Sequence, residues 1–488
     1  MTTQNRGKKV TASFAFKLLE SIGMQGISFV VSLVIARLLD PSDYGVLTML
    51  TVFIAIAQVF VQSGLNTALI QKKDVTVADC SSVFWMSLSM SAILYAILYF
   101  TSPYIANYYN MPSLAPVLPV LAIILFPGAL LSVQNAIVAR EMAFRTLMVC
   151  SLISTLVSGW VGIILALYGA GYWALVAQQL INQCLLCILL LFTIKWRPAF
   201  VFEGKRVWVL FSFGWKLLVA SLLETGYNNL RSLVIGKYYT PEALGLYNRG
   251  KQFPELMMNA VNGSIQSVMF PVLSESQTDI ERMKALLKRS ITMSSFIVLP
   301  AMAGLAAVAK PLVTVLLTEK WLLCVPFLQI CCIDFAFYPI HTANLQAINA
   351  LGRSDVFLKL EIIKKTVGVI ILAVTLLVFK TIEAIAWGAV VSTLIAAVIN
   401  SWPNRKFIGY GYIEQMKDIM PSMLMAIVMF IVVNLLNGLG LPVVLLLVVQ
   451  IIVGIICYVG MAMICARDLL KYMITQLKRL LKKGGDGK

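Results

Sequence analysis

Polar side chains that recur at helical spacing inside apolar runs are the residues here able to do chemistry. Glu224, Asn228 and Arg231 follow one another at i, i+4, i+7, and Glu255, Asn259, Asn262 and Gln266 at i, i+4, i+7, i+11. Gln58, Gln62 and Asn66 repeat the pattern, and Lys17, Glu20 and Gln25 make a fourth set from which Gln25 drifts off the stripe. Such spacing keeps side chains on one helix face. Inside a membrane these residues are costly and face a cavity or the protein interior. The four sets are therefore expected to line a central polar cavity, with hydrogen bonding between helices as the alternative use of the same groups. Lys17, Lys216 and Arg231 make that cavity cationic, and a desolvated cation suits a phosphate or pyrophosphate better than a neutral solute. Glu224 lies about two turns from both Lys216 and Arg231; it is either their counter-ion or a site for a coupling proton or sodium ion. Asp334, Tyr338 and His341, the chain's one histidine, stand at i, i+4, i+7. They read as a proton relay or as a histidine satisfied by its neighbours. The nine cysteines lack the spacing of a zinc site or a disulfide framework, and Cys184-Leu-Leu-Cys187 reads as two small residues packed in a helix. No metal and no cofactor is expected beyond a proton or sodium gradient.

The elements that must position these groups follow from composition. Of 488 residues, 60% are hydrophobic and 12% charged, against roughly 25% charged in soluble domains. That excludes a soluble globule, and with it the nucleic-acid binder that a net charge of +17 would otherwise suggest. Apolar runs long enough to span a bilayer cover 14–39, 44–70, 83–101, 116–138, 147–167, 172–194, 208–235, 253–273, 291–308, 325–350, 362–379, 382–399, 420–436 and 441–464. The expectation is an all-α polytopic membrane protein of about fourteen transmembrane helices. The eighth run is the weakest, broken by Glu255, Asn259, Asn262 and Gln266. The first is too long for a cleavable signal peptide and carries Lys17 and Glu20. With the N-terminus inside, 29 Lys and Arg fall on the cytoplasmic side and seven outside. Both termini are therefore expected in the cytoplasm. No connection between runs exceeds about 20 residues, too short for a soluble catalytic domain, and no phosphate-binding GxxxxGK[ST] loop occurs.

The chain also repeats itself at an offset of 200. Ser32-Leu-Val-Ile-Ala-Arg-Leu-Leu-Asp-Pro-Ser-Asp-Tyr-Gly45 lies over Ser232-Leu-Val-Ile-Gly-Lys-Tyr-Tyr-Thr-Pro-Glu-Ala-Leu-Gly245, with six of fourteen positions identical. Gln62 then falls over Asn262 and Asn66 over Gln266. Helices one to six (1–200) are expected to repeat as seven to twelve (201–410), followed by two more helices (411–465) and a basic amphipathic tail (466–488) suited to an anionic leaflet. An even number of helices per repeat starts both copies on the same side, giving parallel six-helix lobes as in alternating-access transporters.

The segments Ile35-Ala-Arg-Leu-Leu-Asp-Pro-Ser-Asp-Tyr-Gly45, Gly64-Leu-Asn-Thr-Ala-Leu-Ile-Gln-Lys-Lys73 and Glu319-Lys-Trp321 resemble the Wzx-type polysaccharide exporters. The match is to the colanic acid exporter branch of the multidrug/oligosaccharidyl-lipid/polysaccharide (MOP) superfamily, and it extends over essentially the whole chain. The resemblance implies a MATE-like fold of fourteen helices in the bacterial inner membrane. It implies a flippase, not an enzyme, that carries an undecaprenyl-pyrophosphate-linked oligosaccharide from the cytoplasmic to the periplasmic leaflet, driven by an ion gradient through a cationic lumen. The partners so implied are the lipid-linked oligosaccharide, the bilayer and the polysaccharide polymerase or export machinery; no nucleic acid is expected, and the protein itself is expected to be a monomer. Two alternatives stay open: an ion-coupled multidrug exporter, against which the three intramembrane cations argue, and a membrane glycosyltransferase or polymerase. The second would need a large outer loop, whereas 236–252 is short and holds Glu242 as its one acid.

Overall fold

The computed structural model describes residue 23 and residues 25–62, 64–277, 279–467, 469–471 and 475. Among these the regular structure is entirely helical. In chain order the helices are α1 (Gln25–Leu38), α2 (Pro41–Gln62), α3 (Leu65–Gln71), α4 (Val77–Tyr109), α5 (Leu114–Ala122), α6 (Leu125–Glu141), α7 (Phe144–Leu167), α8 (Tyr172–Thr193) and α9 (Gly204–Tyr238). They continue with α10 (Pro241–Glu275), α11 (Ile280–Ala307), α12 (Ala309–Leu317), α13 (Val325–Ala336), α14 (Tyr338–Ala350), α15 (Ser354–Val374), α16 (Ile382–Phe407), α17 (Tyr412–Leu435) and α18 (Val443–Cys465). A 3-10 turn (Glu319–Cys324) precedes α13, and a π turn (Thr375–Phe379) closes α15.

Eleven helical stretches among the described residues are long and apolar enough to cross a membrane, or twelve if α9, bent by 56° between Ser212 and Gly214, is one span. The expected count of fourteen is thus not reached. The two shortfalls have separate causes. The first apolar run is described only in part, as α1. The eighth is present as the 35-residue α10, but Glu255, Asn259 and Asn262 lower its hydropathy.

The chain divides into two compact units, Met1–Gly245 and Leu246–Lys488. In the first, α7 and α8 form a close pair, with small residues along the buried face of α7 (Ser151, Ser154, Thr155, Ser158 and Gly162), while Gly159 of the same helix faces Val31 of α1. Without a hydrophobic drive between helices in lipid, backbone approach and hydrogen bonds supply the cohesion. Asn182 of α8 donates to both Thr155 Oγ1 and Ser158 Oγ at 3.2 Å. α9 lies along α2 and touches α3 and α4. Gly64, at φ 66°, admits that approach: a Cβ there would overlap the Gly214 carbonyl oxygen and lie 3.0 Å from its carbon. The bend of α9 falls at this contact.

The fully buried Asp79 ties one end of the first unit together. Thr76 and Asp79 cap α4 reciprocally. Asp79 also pairs with Lys72 at 2.7 Å and Arg206 at 3.4 Å. Beside it, Arg140 donates to the carbonyls of Leu69, Ile70, Lys72 and Lys73 and so satisfies the C-terminal end of α3. In the second unit α11 packs on α17, α13, α14 and α15 on α16, and α18 on α17. A buried amide network holds α14, α16 and α17. Asn344 and Gln415 exchange hydrogen bonds at 2.8 and 3.0 Å, and Asn404 donates to Asn344 Oδ1 at 2.6 Å. Nearby, the Tyr410 hydroxyl donates to Asp418 at 2.8 Å; its burial, and then that carboxylate, push its pKa up.

Candidate functional site

On α9, Lys216, Glu224 and Asn228 are exposed to the surroundings of the protein and Arg231 is half-buried. Asn228 Nδ2 donates to Glu224 Oε1 at 3.1 Å, one turn apart on the same face. A recess of about 380 Å³ opens there, lined by Ala220, Ser221, Glu224 and Thr225. Small side chains stand on both sides of the carboxylate there. On α2, Gln58 is half-buried and Gln62 exposed. Asn66 falls on α3, beyond the left-handed turn at Gly64, so it does not continue the α2 face. Its Oδ1 is buried and accepts no hydrogen bond from the described residues. Gln25 is exposed on α1, while Lys17 and Glu20 lie outside the described residues.

In the second unit, Glu255 sits 3.9 Å from Lys251 one turn earlier on α10, and Asn259 is exposed. Asn262 accepts a hydrogen bond from Thr342 of α14 at 2.5 Å, so at this position the polar group joins two helices. The Gln266 side chain lies outside what is described.

Asp334 and His341 do not share a helix, since the chain breaks at Phe337 between α13 and α14, next to Pro339. They are brought into line by α16. Thr393 donates to Asp334 Oδ1 at 2.5 Å, and Asn400, seven residues on, meets His341 Nδ1 at 3.1 Å. His341 Nε2 and Asn400 Oδ1 are buried with no hydrogen-bond partner among the described residues. Lys364 and Glu361 of α15 form a 2.5 Å ion pair whose side chains are 15% and 24% exposed. Sequence reasoning passed over Thr393 and Asn400, although Thr393, Asn400 and Asn404 repeat at i, i+7, i+11. Lys364 lies ten residues inside α15.

The second unit also holds an apolar recess of about 450 Å³ between α11, α17 and α18, bordered by Pro300, Gly304, Met429, Val433, Gly454 and Tyr458. Among the described residues no group of three His, Cys, Asp or Glu could hold a metal ion.

Comparison with known proteins agrees with this architecture. Residues 34–326 match the family described as polysaccharide biosynthesis protein. The succinoglycan biosynthesis transport protein ExoT of Rhizobium meliloti (strain 1021) is 23% identical over 98% of this chain and 97% of its own. The lipopolysaccharide biosynthesis protein WzxC of Escherichia coli (strain K12) is 22% identical over 81% and 80%. Among solved structures, the lipid II flippase MurJ in an inward closed conformation superposes with a TM-score of 0.74 over 93% of this chain and 99% of its own, at 15% identity. The likeness to MurJ is one of fold. The family match covers more than half the sequence, and the chain belongs to the polysaccharide biosynthesis protein family.

Proposed function

We propose that this protein turns an undecaprenyl-pyrophosphate-linked oligosaccharide from the cytoplasmic to the periplasmic leaflet of a bacterial inner membrane by alternating access, using an ion gradient and keeping both termini in the cytoplasm. The observation that carries this reading is on α9, the helix that repeats helix one. One span carries Lys216 and Arg231, with an exposed Glu224–Asn228 pair at the edge of a recess between them in sequence. Cations on a span suit a pyrophosphate, and the apolar recess of the second unit suits a polyprenyl chain. The roles named for relatives, succinoglycan transport and lipopolysaccharide biosynthesis, support a glycan cargo. Glu224, Asp334 and His341 remain the candidates for ion coupling; Thr393 and Asn400 join the last two through α16.

The test is flipping of a fluorescent polyprenyl-pyrophosphate trisaccharide in proteoliposomes. Arg231→Ala and Lys216→Ala are expected to lower the rate at least tenfold while leaving insertion intact; normal rates from both would remove the cationic site. Glu224→Gln is expected to weaken the dependence on the imposed ion gradient. An unchanged dependence would leave Glu224 as a counter-ion.

A further inference from the structure

The internal repeat makes contact with itself. Pro41 and Pro241, matched at the offset of 200, each open a helix, α2 and α10, and in each the matched glycine follows four residues later. A Cβ on Gly45 would overlap the Pro241 carbonyl oxygen and lie 2.5 Å from its carbon. A Cβ on Gly245 would overlap the Pro41 carbonyl oxygen, 2.9 Å from its carbon and 3.1 Å from the Gly45 nitrogen. Both glycines are buried, and both halves of the crossing lie in the first unit. Each helix thus lays the Cα of its glycine on the proline carbonyl of the other, the close approach that only glycine permits and that Cα–H···O contacts reinforce.

The two contacts are reciprocal, the same proline–glycine patch used twice. Beside this contact lie the α1–α2 and α9–α10 turns, at the ends carrying Arg37 and Lys237. Gly236 continues the seam one helix along, against Met49 of α2.

We propose that the reciprocal Pro41/Gly45–Pro241/Gly245 crossing is a latch that closes one end of the transport path, and that Gly45 and Gly245 are positioning residues for the transport cycle. Two backbones in direct contact leave no side chain to yield, so the crossing is either made or parted, the property a two-state gate requires. Glycine at both positions sets how firmly it is made. A methyl on either one displaces backbone, favouring the parted state.

Spin labels at the matched exposed positions Leu38 and Tyr238, in full-length protein with Cys184, Cys457 and Cys465 replaced by Ser, read the latch in lipid nanodiscs. One short, narrow distance is expected. Gly45→Ala and Gly245→Ala are expected to move at least half of that population to longer distances, and Gly226→Ala, whose added Cβ would meet nothing within 4 Å, to leave it unchanged. A monodisperse Gly45→Ala protein that keeps the short distance overturns the latch. If the glycine variants do not fold, the same two cysteines are bridged by a bismaleimide in the otherwise glycine-intact protein and flipping of the fluorescent polyprenyl-pyrophosphate trisaccharide is measured. Loss of at least 90% of flipping on bridging is expected, and bridged protein flipping at the unbridged rate overturns the latch. Because the latch rests on the alternating-access reading, the two are kept apart by the unbridged protein: no flipping there sinks that reading, whereas the label distances report on the latch alone.

Discussion

Asp79 shows how a single side chain carries more than its hydropathy suggests. Its carboxylate is fully buried, caps α4 through Thr76, and faces Lys72 and Arg206, each about one-third exposed. Removing one partner of a buried pair strands the others at a cost of about 3–5 kcal/mol, and the lost cap adds about 1 kcal/mol. Here the two cations can regain water, so the low end applies. Asp79→Ala is expected to destabilise the protein by about 3 kcal/mol, and Asp79→Asn by less because the amide oxygen still caps. The exposed Asp74→Ala serves as comparison, expected within about 0.5 kcal/mol of the parent. Thermal unfolding of the purified full-length protein ranks the three; equal effects at 79 and 74 would mean that Asp79 is solvated. The cap itself was readable, since Thr76 and Asp79 have the spacing of a capping box. The pairing with Arg206 joins positions 127 residues apart, and no local pattern announces it.

At the level of elements, the apolar runs located the helices but not their breaks. The run over 44–70 is two helices separated at Gly64, and that over 325–350 is two separated at Phe337. Gly64 and Pro339 are visible punctuation for both. The bend in α9 has no proline; it falls where the backbone of Gly64 rests on that of Gly214. The polar stripes fared the same way. The face shared by Glu224 and Asn228 is a property of one helix and was legible, whereas the alignment of Asp334 with His341 depends on α16 and was not. The Gly64 contact can be isolated by comparison with Gly169, which also has positive φ but open space around it. Gly169→Ala carries only the conformational penalty of about 1–2 kcal/mol. Gly64→Ala carries that and a backbone overlap of about 1–3 kcal/mol more, so its melting temperature is expected to fall further, with α9 amides exchanging hydrogen faster around 210–216. Identical losses in the two variants would remove the contact as the cause of the bend.

For the molecule as a whole, the excess of positive charge has two uses that composition cannot separate. Some of these cations have local work: Lys72 holds Asp79, Arg140 closes α3, Lys288 pairs with Asp418 at 2.8 Å, and Lys284 lies 3.7 Å from Glu414. Of the 29 counted on the cytoplasmic side, Lys359, Lys364 and Lys365 belong to α15. Omitting these three from the 29 still leaves the bias more than threefold over the seven on the other side. A pairing partner does not cancel the effect, because Asp and Glu contribute little to orientation while Lys and Arg resist transfer. Reporter fusions decide the orientation without any knowledge of the cargo. A C-terminal green fluorescent protein is expected to fluoresce, and alkaline phosphatase inserted at Asn110, after α4, to be active; the same phosphatase placed at Lys73, among the basic residues, is expected to be inactive. The reverse pattern would exchange the two sides of the membrane, and the proposed direction of transport would have to be argued afresh. With the expected pattern, the loops rich in Lys and Arg face the leaflet from which the proposed transport cycle starts.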